Sequence, residues 1–437
     1  LDGHAVTGGL ARSEAVLLIR HVGKWTALAC AIAVLAGTAS AAFLFALEWA
    51  TATRLARPSL LWALPVAGFV VGWLYHRFGA EVEAGNNLLI DEIHDPQRVI
   101  PLRMAPLVLG GTIVSHLFGA SVGREGTAVQ MGGALADQLT RWFRLASVDR
   151  RIVLMAGISA GFSSVFGTPL AGAIFGIEVL AVGRIRYEAL LPCVVAAIVA
   201  DEVGLWWGVV HTHYAVTQVA AVTPWALGAV LVAGALFGLA GGAFARLTHT
   251  VSAAVKRRIA YAPFRPVVGG LLIALIALAP GADRYLGLGL PAIVEAFERS
   301  AGLEEWVLKG AVTVLSLGTG FKGGEVTPLF FIGATLGSTL APLLDLPVSM
   351  LAGIGFVAVF AGAANTPIAS TFMAFELFGA EVGLFAGLAC VMSYLFIGGT
   401  GIYSAQRAGH VKHRADEPPM ADAGSRLSLP HTDQGAS

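Results

Sequence analysis

The sequence predicts an all-α, polytopic membrane protein built from two pseudo-symmetric repeats with broken helices. Three observations carry that prediction. Of 437 residues, 56% are hydrophobic and 13% charged, whereas soluble domains carry about a quarter charged residues. Apolar stretches at 26–50, 59–75, 224–246, 263–280 and 381–398 approach or exceed the roughly 17–25 residues that span a bilayer as a helix. The chain also repeats itself: Pro65-Val66-Ala67-Gly68 returns as Pro266-Val267-Val268-Gly269, 201 positions later.

Taken in order, residues 1–24 read as an amphipathic N-terminal segment with no cleavable leader, and 25–205 as the first membrane repeat. Residues 206–223 read as a linker, 224–407 as the second repeat, and the polar stretch 408–437, with Pro418-Pro419, as a disordered cytoplasmic tail. Shorter Gly-rich apolar pieces such as 152–165 predict helices that stop inside the membrane, as in transporters built around a midplane site. Cationic clusters at Arg141, Arg144, Arg150 and Arg151, at Lys256, Arg257, Arg258 and Arg265, and at Arg407, Lys412 and Arg414 are expected on the cytoplasmic side. Both termini fall there too. The net charge is zero, so nucleic acid is not an indicated partner. Cys30, Cys193 and Cys390 lie in apolar segments and read as free thiols.

The duplication extends through the chemistry-bearing segments. Gly85-Asn86-Asn87-Leu88 faces Gly287-Leu288-Gly289-Leu290, and Gly123-Arg124-Glu125-Gly126-Thr127 faces Gly323-Gly324-Glu325-Val326-Thr327, with Glu and Thr in register. Thr168-Pro169 and Glu178 match Thr366-Pro367 and Glu376. The repeat leaves parallel and inverted halves open, although inversion is the commoner solution around a midplane site.

The segment from Phe118 to Thr127 reads as a helix start inside the membrane. About four unpaired N–H groups and roughly half a positive charge make an anion its natural partner, and Gly123 and Gly126 let a small ion approach. Glu125 at that start can occupy an anion position when ionised and leave it when protonated, which couples the two ions. The plainer alternative is a pair with Arg124 or a first-turn cap. Lys322-Gly323-Gly324-Glu325-Val326-Thr327-Pro328 has the same design, its alternative being a self-neutralising Lys322–Glu325 pair. Glu178 and Glu376 read as hydrogen-bonded structural acids. Asn86 and Asn87 after Gly85 offer amides to a hard anion, or form only a turn. Tyr403, after Gly398-Gly399-Thr400-Gly401, offers a hydroxyl at the cytoplasmic mouth, or is an ordinary interfacial tyrosine.

Together these motifs resemble the CLC superfamily of anion channels and proton-coupled exchangers, over about residues 15–410. The resemblance implies that Glu125 is the gate and proton acceptor, that Gly324 to Pro328 is the second anion-facing helix start, and that Tyr403 stands against the central ion. Chloride members have Gly-Ser-Gly-Ile-Pro where this chain has Gly85-Asn86-Asn87-Leu88-Leu89, Pro where it has Thr127, and no acid at Glu325. Those departures resemble the bacterial fluoride-exporting branch. The inner relay glutamate of many chloride exchangers corresponds to Val179, leaving Glu325 as the second proton-linked candidate. A fluoride/proton antiporter is thus implied, with membrane lipid around it and no cofactor. It would be a homodimer with one pore per subunit, joined near 168–200 and 366–396, in the bacterial inner membrane.

A passive fluoride or chloride channel is the nearest rival reading. An intramembrane serine hydrolase is remote: Gly157-Ile158-Ser159-Ala160-Gly161 fits G-x-S-x-G and His116 lies in an apolar stretch, but no strand-turn-helix setting surrounds the serine. His211-Thr212-His213 supplies only two metal ligands.

Overall fold

The computed structural model describes residues 3–182, 186–399 and 401–408. Among them the first repeat contributes α1 (Gly3–Ala56), α2 (Leu64–Phe78), α3 (Asn86–His94), α4 (Met104–Phe118), α5 (Glu125–Trp142), α6 (Ser147–Phe166), α7 (Pro169–Glu178) and α8 (Leu190–Trp206). The second contributes α9 (Pro224–Arg258), α10 (Arg265–Ile276), α11 (Leu290–Glu298), α12 (Leu303–Thr319), α13 (Val326–Leu340), α14 (Val348–Ala364), α15 (Pro367–Phe378) and α16 (Ala380–Phe396). Helix answers helix across the duplication. Two-residue strands, β1 (Ala181–Val182) and β2 (Arg407–Ala408), pair in parallel.

Glu14–Ala56, Pro58–Phe78, Tyr187–Trp206 and Pro224–Arg258 are long and apolar enough to cross a bilayer, while α4, α7 and α13 to α16 are apolar but shorter. Long and short helices are mixed as expected, but not at every expected place: the stretches 263–280 and 381–398 fall in the shorter α10 and α16, and 152–165 lies within the 20-residue α6. The N-terminal segment is not set apart by a break: α1 runs through residue 24, every residue from Glu14 to Lys24 is exposed, and burial begins at Trp25. Pro58 ends this rod, since the residue before a proline disfavours helix and proline lacks an N–H. Residues 409–437, read as a tail, lie outside the described residues.

Reciprocal capping fixes the relation of the halves. The Glu178 carboxylate, at the end of α7, accepts from the N–H groups of Ile368 (3.0 Å) and Ala369 (2.7 Å) at the start of α15. Glu376, near the end of α15, accepts from Leu170 (2.8 Å) and Ala171 (2.9 Å) at the start of α7. Symmetry mates therefore run antiparallel, and the repeats are inverted. Each acid satisfies the orphan donors at a helix start.

Glycines set the depth of the core. A Cβ on Gly132 of α5 would lie 2.3 Å from the Gly157 carbonyl of α6, and one on Gly333 of α13 would lie 2.1 Å from the Gly355 carbonyl of α14. The two pairs bring backbones together in both halves, as small residues do in membrane helices. The G-x-S-x-G match belongs to this packing: a Cβ on Gly161 would meet the Ala128 carbonyl at 2.3 Å, and the Ser159 hydroxyl donates to the Ala173 carbonyl at 3.4 Å. Phe162, Phe166, Phe330, Phe356 and Phe360 form one aromatic cluster behind α13, with Phe330 and Phe356 stacked at 4.1 Å.

Arg150, counted above among cytoplasmic loop charges, is instead buried. It grips Asp137 through two nitrogens at 2.8 Å each and Glu92 through a third at 2.8 Å. The triad ties α3 to α5 and α6. It thereby fixes the helix that carries Asn86 against the helix that starts at Glu125.

Candidate anion site

The starts of α5 and α13 meet at the centre of the molecule. Gly123 N–H donates to the Gly324 carbonyl at 2.6 Å, and Gly324 N–H donates to the Gly123 carbonyl at 2.8 Å. These two glycines, expected to offer N–H groups to an ion, offer them to each other. The bridge also corrects the repeat register here. Gly123 pairs with Gly324, left-handed Gly119 caps α4 as Gly320 caps α12, and Ala128 bonds back to Arg124 as Leu329 does to Glu325. The counterpart of Glu125 is accordingly Val326, and that of Glu325 is Arg124; the matching Glu and Thr letters suggested a register one residue off.

Glu125 is fully buried, and its carboxylate lies across the interface on the start of α13. The Thr327 hydroxyl donates to its two oxygens at 2.6 and 2.8 Å, and the Thr327 N–H donates at 3.1 Å. Arg124 stands 3.5 Å away on the other side. A negative group thus rests where a helix start presents its positive end, in the position a small anion would take. The Arg124 pair and the anion-like pose coexist.

Asn86 starts α3 behind Gly85, which holds φ +59°, a conformation glycine adopts without strain. The Asn86 Oδ1 atom is buried without a partner, and its Nδ2 lies 3.1 Å from where a Cβ on Gly126 would stand. Gly126 is what lets this amide reach the centre. Asn87 is differently employed: its Oδ1 accepts from the Ala405 N–H at 3.0 Å, so it anchors the Tyr403 segment. Thr127 is also engaged elsewhere, its hydroxyl 2.7 Å from that of Thr112.

Glu325 stands at the N-cap of α13 with one carboxylate oxygen buried and without a partner. Lys322 does not neutralise it; the ammonium lies over the Tyr75 ring at 4.0 Å. A cavity of about 350 Å³ joins Gly85, Asn86, Asn87, Glu325 and Tyr403, and Lys322 and Gln130 line it too. Val326 begins α13 beside it, with its N–H in the first turn. Tyr403 is buried rather than interfacial, at 4% exposure. Gln130 escaped the sequence reading; it lies five residues beyond Glu125 on α5 and presses on Gly85, whose added Cβ would meet its amide at 3.1–3.2 Å. His211 faces Asp201 at 3.4 Å, apart from this centre.

Inverted repeats whose helix starts converge, with the carboxylate of one seated on the donors of the other, define a membrane anion transporter or channel. Residues 67–398 match the family described as voltage gated chloride channel. The chain belongs to that family, the CLC superfamily. It is 62% identical over 413 residues, 93% of this chain and 91% of the relative, to the chloride/fluoride channel protein of Pseudomonas syringae pv. tomato. It is 27% identical to the H(+)/Cl(-) exchange transporter ClcA of Vibrio parahaemolyticus, over 71% of this chain and 70% of that one. The crystal structure of a CLC-type fluoride/proton antiporter superposes with a TM-score of 0.86 at 35% identity, covering 88% of this chain and 98% of that chain.

Proposed function

We propose that the protein exports fluoride from the bacterial cytoplasm in exchange for protons, through competition between fluoride and the Glu125 carboxylate for the start of α13. The observation that carries this reading is the seat of that carboxylate on the Thr327 hydroxyl and N–H. Protonation removes the charge that holds Glu125 there, and a hard anion takes the vacated donors. Asn86 supplies an amide to the ion, and Tyr403 a hydroxyl. Glu325, with an unpartnered oxygen on the same cavity, carries the proton toward the other face. Likeness to a fluoride/proton antiporter supports the choice of ion and of exchange.

A passive channel is the second reading, favoured by the printed name of the 62% identical relative. One experiment separates them. Purified protein in liposomes should release fluoride far faster than chloride, and a fluoride gradient should drive protons uphill. Fluoride release without proton movement establishes the channel, and equal fluoride and chloride rates defeat the fluoride assignment. The same reading places the protein in the inner membrane as a homodimer with both termini cytoplasmic. Cross-linking in membranes and terminal epitope accessibility test these points.

A further inference from the structure

A second cavity, of about 790 Å³, is lined by the end of α1, by Arg124, and by Asp283, Arg284, Leu286 and Leu288 among others. The Asn86 cavity is lined instead by the end of α9. Because α1 and α9 are mates in inverted repeats, the two cavities open toward opposite faces. Arg54 lines the second cavity, along with Glu48 and Asp283.

Beside it, His116 in the last turn of α4 is 1% exposed, and neither ring nitrogen has a partner. A buried polar group without a partner costs stability unless something completes it. The ring is aimed at Gly287. A Cβ added there would have just two atoms within 4 Å beyond its chain neighbours: Arg54 Nη2 at 3.6 Å and His116 Nδ1 at 3.6 Å. The glycine, at φ +56°, therefore faces an open space bounded by two nitrogen donors. From its other side Lys309, fully buried, donates to the Gly287 carbonyl at 2.7 Å and to that of Tyr285 at 3.0 Å. Among the described residues Arg54 and Lys309 make no salt bridge; Asp283, on the same cavity, is the acid that acts on Arg54 electrostatically, and Glu295 and Glu305 are taken by Arg284. Arg54, with one acid in electrostatic range, and Lys309, held by two backbone carbonyls, thus flank this polar space.

In the repeat, Gly287 answers Gly85, and both take a positive φ, +56° and +59°. The first-half loop carries its own donor amides in Asn86 and Asn87. The second-half loop has Leu288 instead, and its donors come from α1 and α4 of the other repeat. We propose that Arg54 and His116 form a second halide site over Gly287, on the face opposite the Asn86 cavity. This site goes beyond fluoride/proton exchange and does not require it.

Calorimetric titration of the purified full chain with sodium fluoride, and separately with sodium chloride, tests the assignment without transport. Removing either nitrogen donor, in His116→Leu or Arg54→Met, should weaken one halide-binding event by about tenfold or more, as loss of a charge-assisted or imidazole hydrogen bond implies. Thr327→Ala should leave that event in place. His116→Gln keeps an N–H donor and should bind within about threefold of the parent. Unchanged halide binding in both His116→Leu and Arg54→Met overturns the site, as does a folded His116→Gln that binds no better than His116→Leu. Should exchange fail in liposomes while this event persists in the titration, the mechanism falls and the site stands.

Discussion

Glu125→Gln isolates the proposed step in which a carboxylate and an anion exchange places. In the parent, two donors of Thr327 hold the carboxylate, the hydroxyl at 2.6 and 2.8 Å and the N–H at 3.1 Å. Bonds to a charged acceptor contribute about 1.5–3 kcal/mol and neutral ones about 0.5–1.5, so an amide loses about 1–1.5 kcal/mol at each donor. Over two donors the seated pose weakens by about 2–3 kcal/mol, roughly 30- to 150-fold in its equilibrium with the unseated one. More decisively, an amide carries no exchangeable charge, so fluoride and proton can no longer take turns. In liposomes with a fluoride gradient and a pH electrode, fluoride-driven proton movement should fall to the rate of protein-free vesicles. Fluoride flux itself can rise or fall, since the carboxylate also helps expel the ion. If the Gln protein still drives protons uphill, competition at Glu125 is the wrong mechanism.

Other expectations concern the surrounding residues. Asn86→Ser should reduce the preference for fluoride over chloride by about tenfold, the weight of roughly one hydrogen bond, read from paired electrode traces; an unchanged ratio means that Asn86 does not select. Glu325→Gln should slow coupled exchange at least about tenfold while the protein elutes as the parent does; normal coupling would make it a structural acid. Glu178→Ala leaves the Ile368 and Ala369 N–H groups without acceptors. It should cost about 2–4 kcal/mol, seen as a lower unfolding midpoint in detergent, and a midpoint equal to the parent's would deny the cap its role.

Much of this architecture was legible in the sequence because membrane solvation writes itself into composition and because duplication writes everything twice. The helix start at Glu125, the acids Glu178 and Glu376 and the Asn86 loop all came from motif and repeat. What stayed hidden depends on packing in three dimensions. That Glu125 rests on the opposite half, at Thr327, follows from the antiparallel meeting of two glycines 201 positions apart, and no local pattern announces it. The register slip arose because Gly-Gly-Glu-Val-Thr matches Gly-Arg-Glu-Gly-Thr in letters while the backbone aligns one residue later. Arg150 looked like a surface charge since its partners, Asp137 and Glu92, are remote or unremarkable in sequence. Gln130 gave no signal, since five residues place it off the face of α5 that carries Glu125.

The paired hydrogen bonds between Gly123 and Gly324 restrict how such a machine can move. Side chains cannot be inserted there: a Cβ on Gly324 would lie 2.8 Å from the Gly126 nitrogen, and one on Gly123 would lie 3.0 Å from the Gly324 carbonyl. With the two helix starts stitched backbone to backbone, swinging one half of the molecule against the other would tear the stitch at the very spot where the ion passes. Under the proposed exchange, access alternates by the turning of single side chains within a stationary frame. Distances between spin labels on α5 and α13 should accordingly stay constant across conditions that load or empty the site, and a shift of several ångströms would show that the frame itself opens.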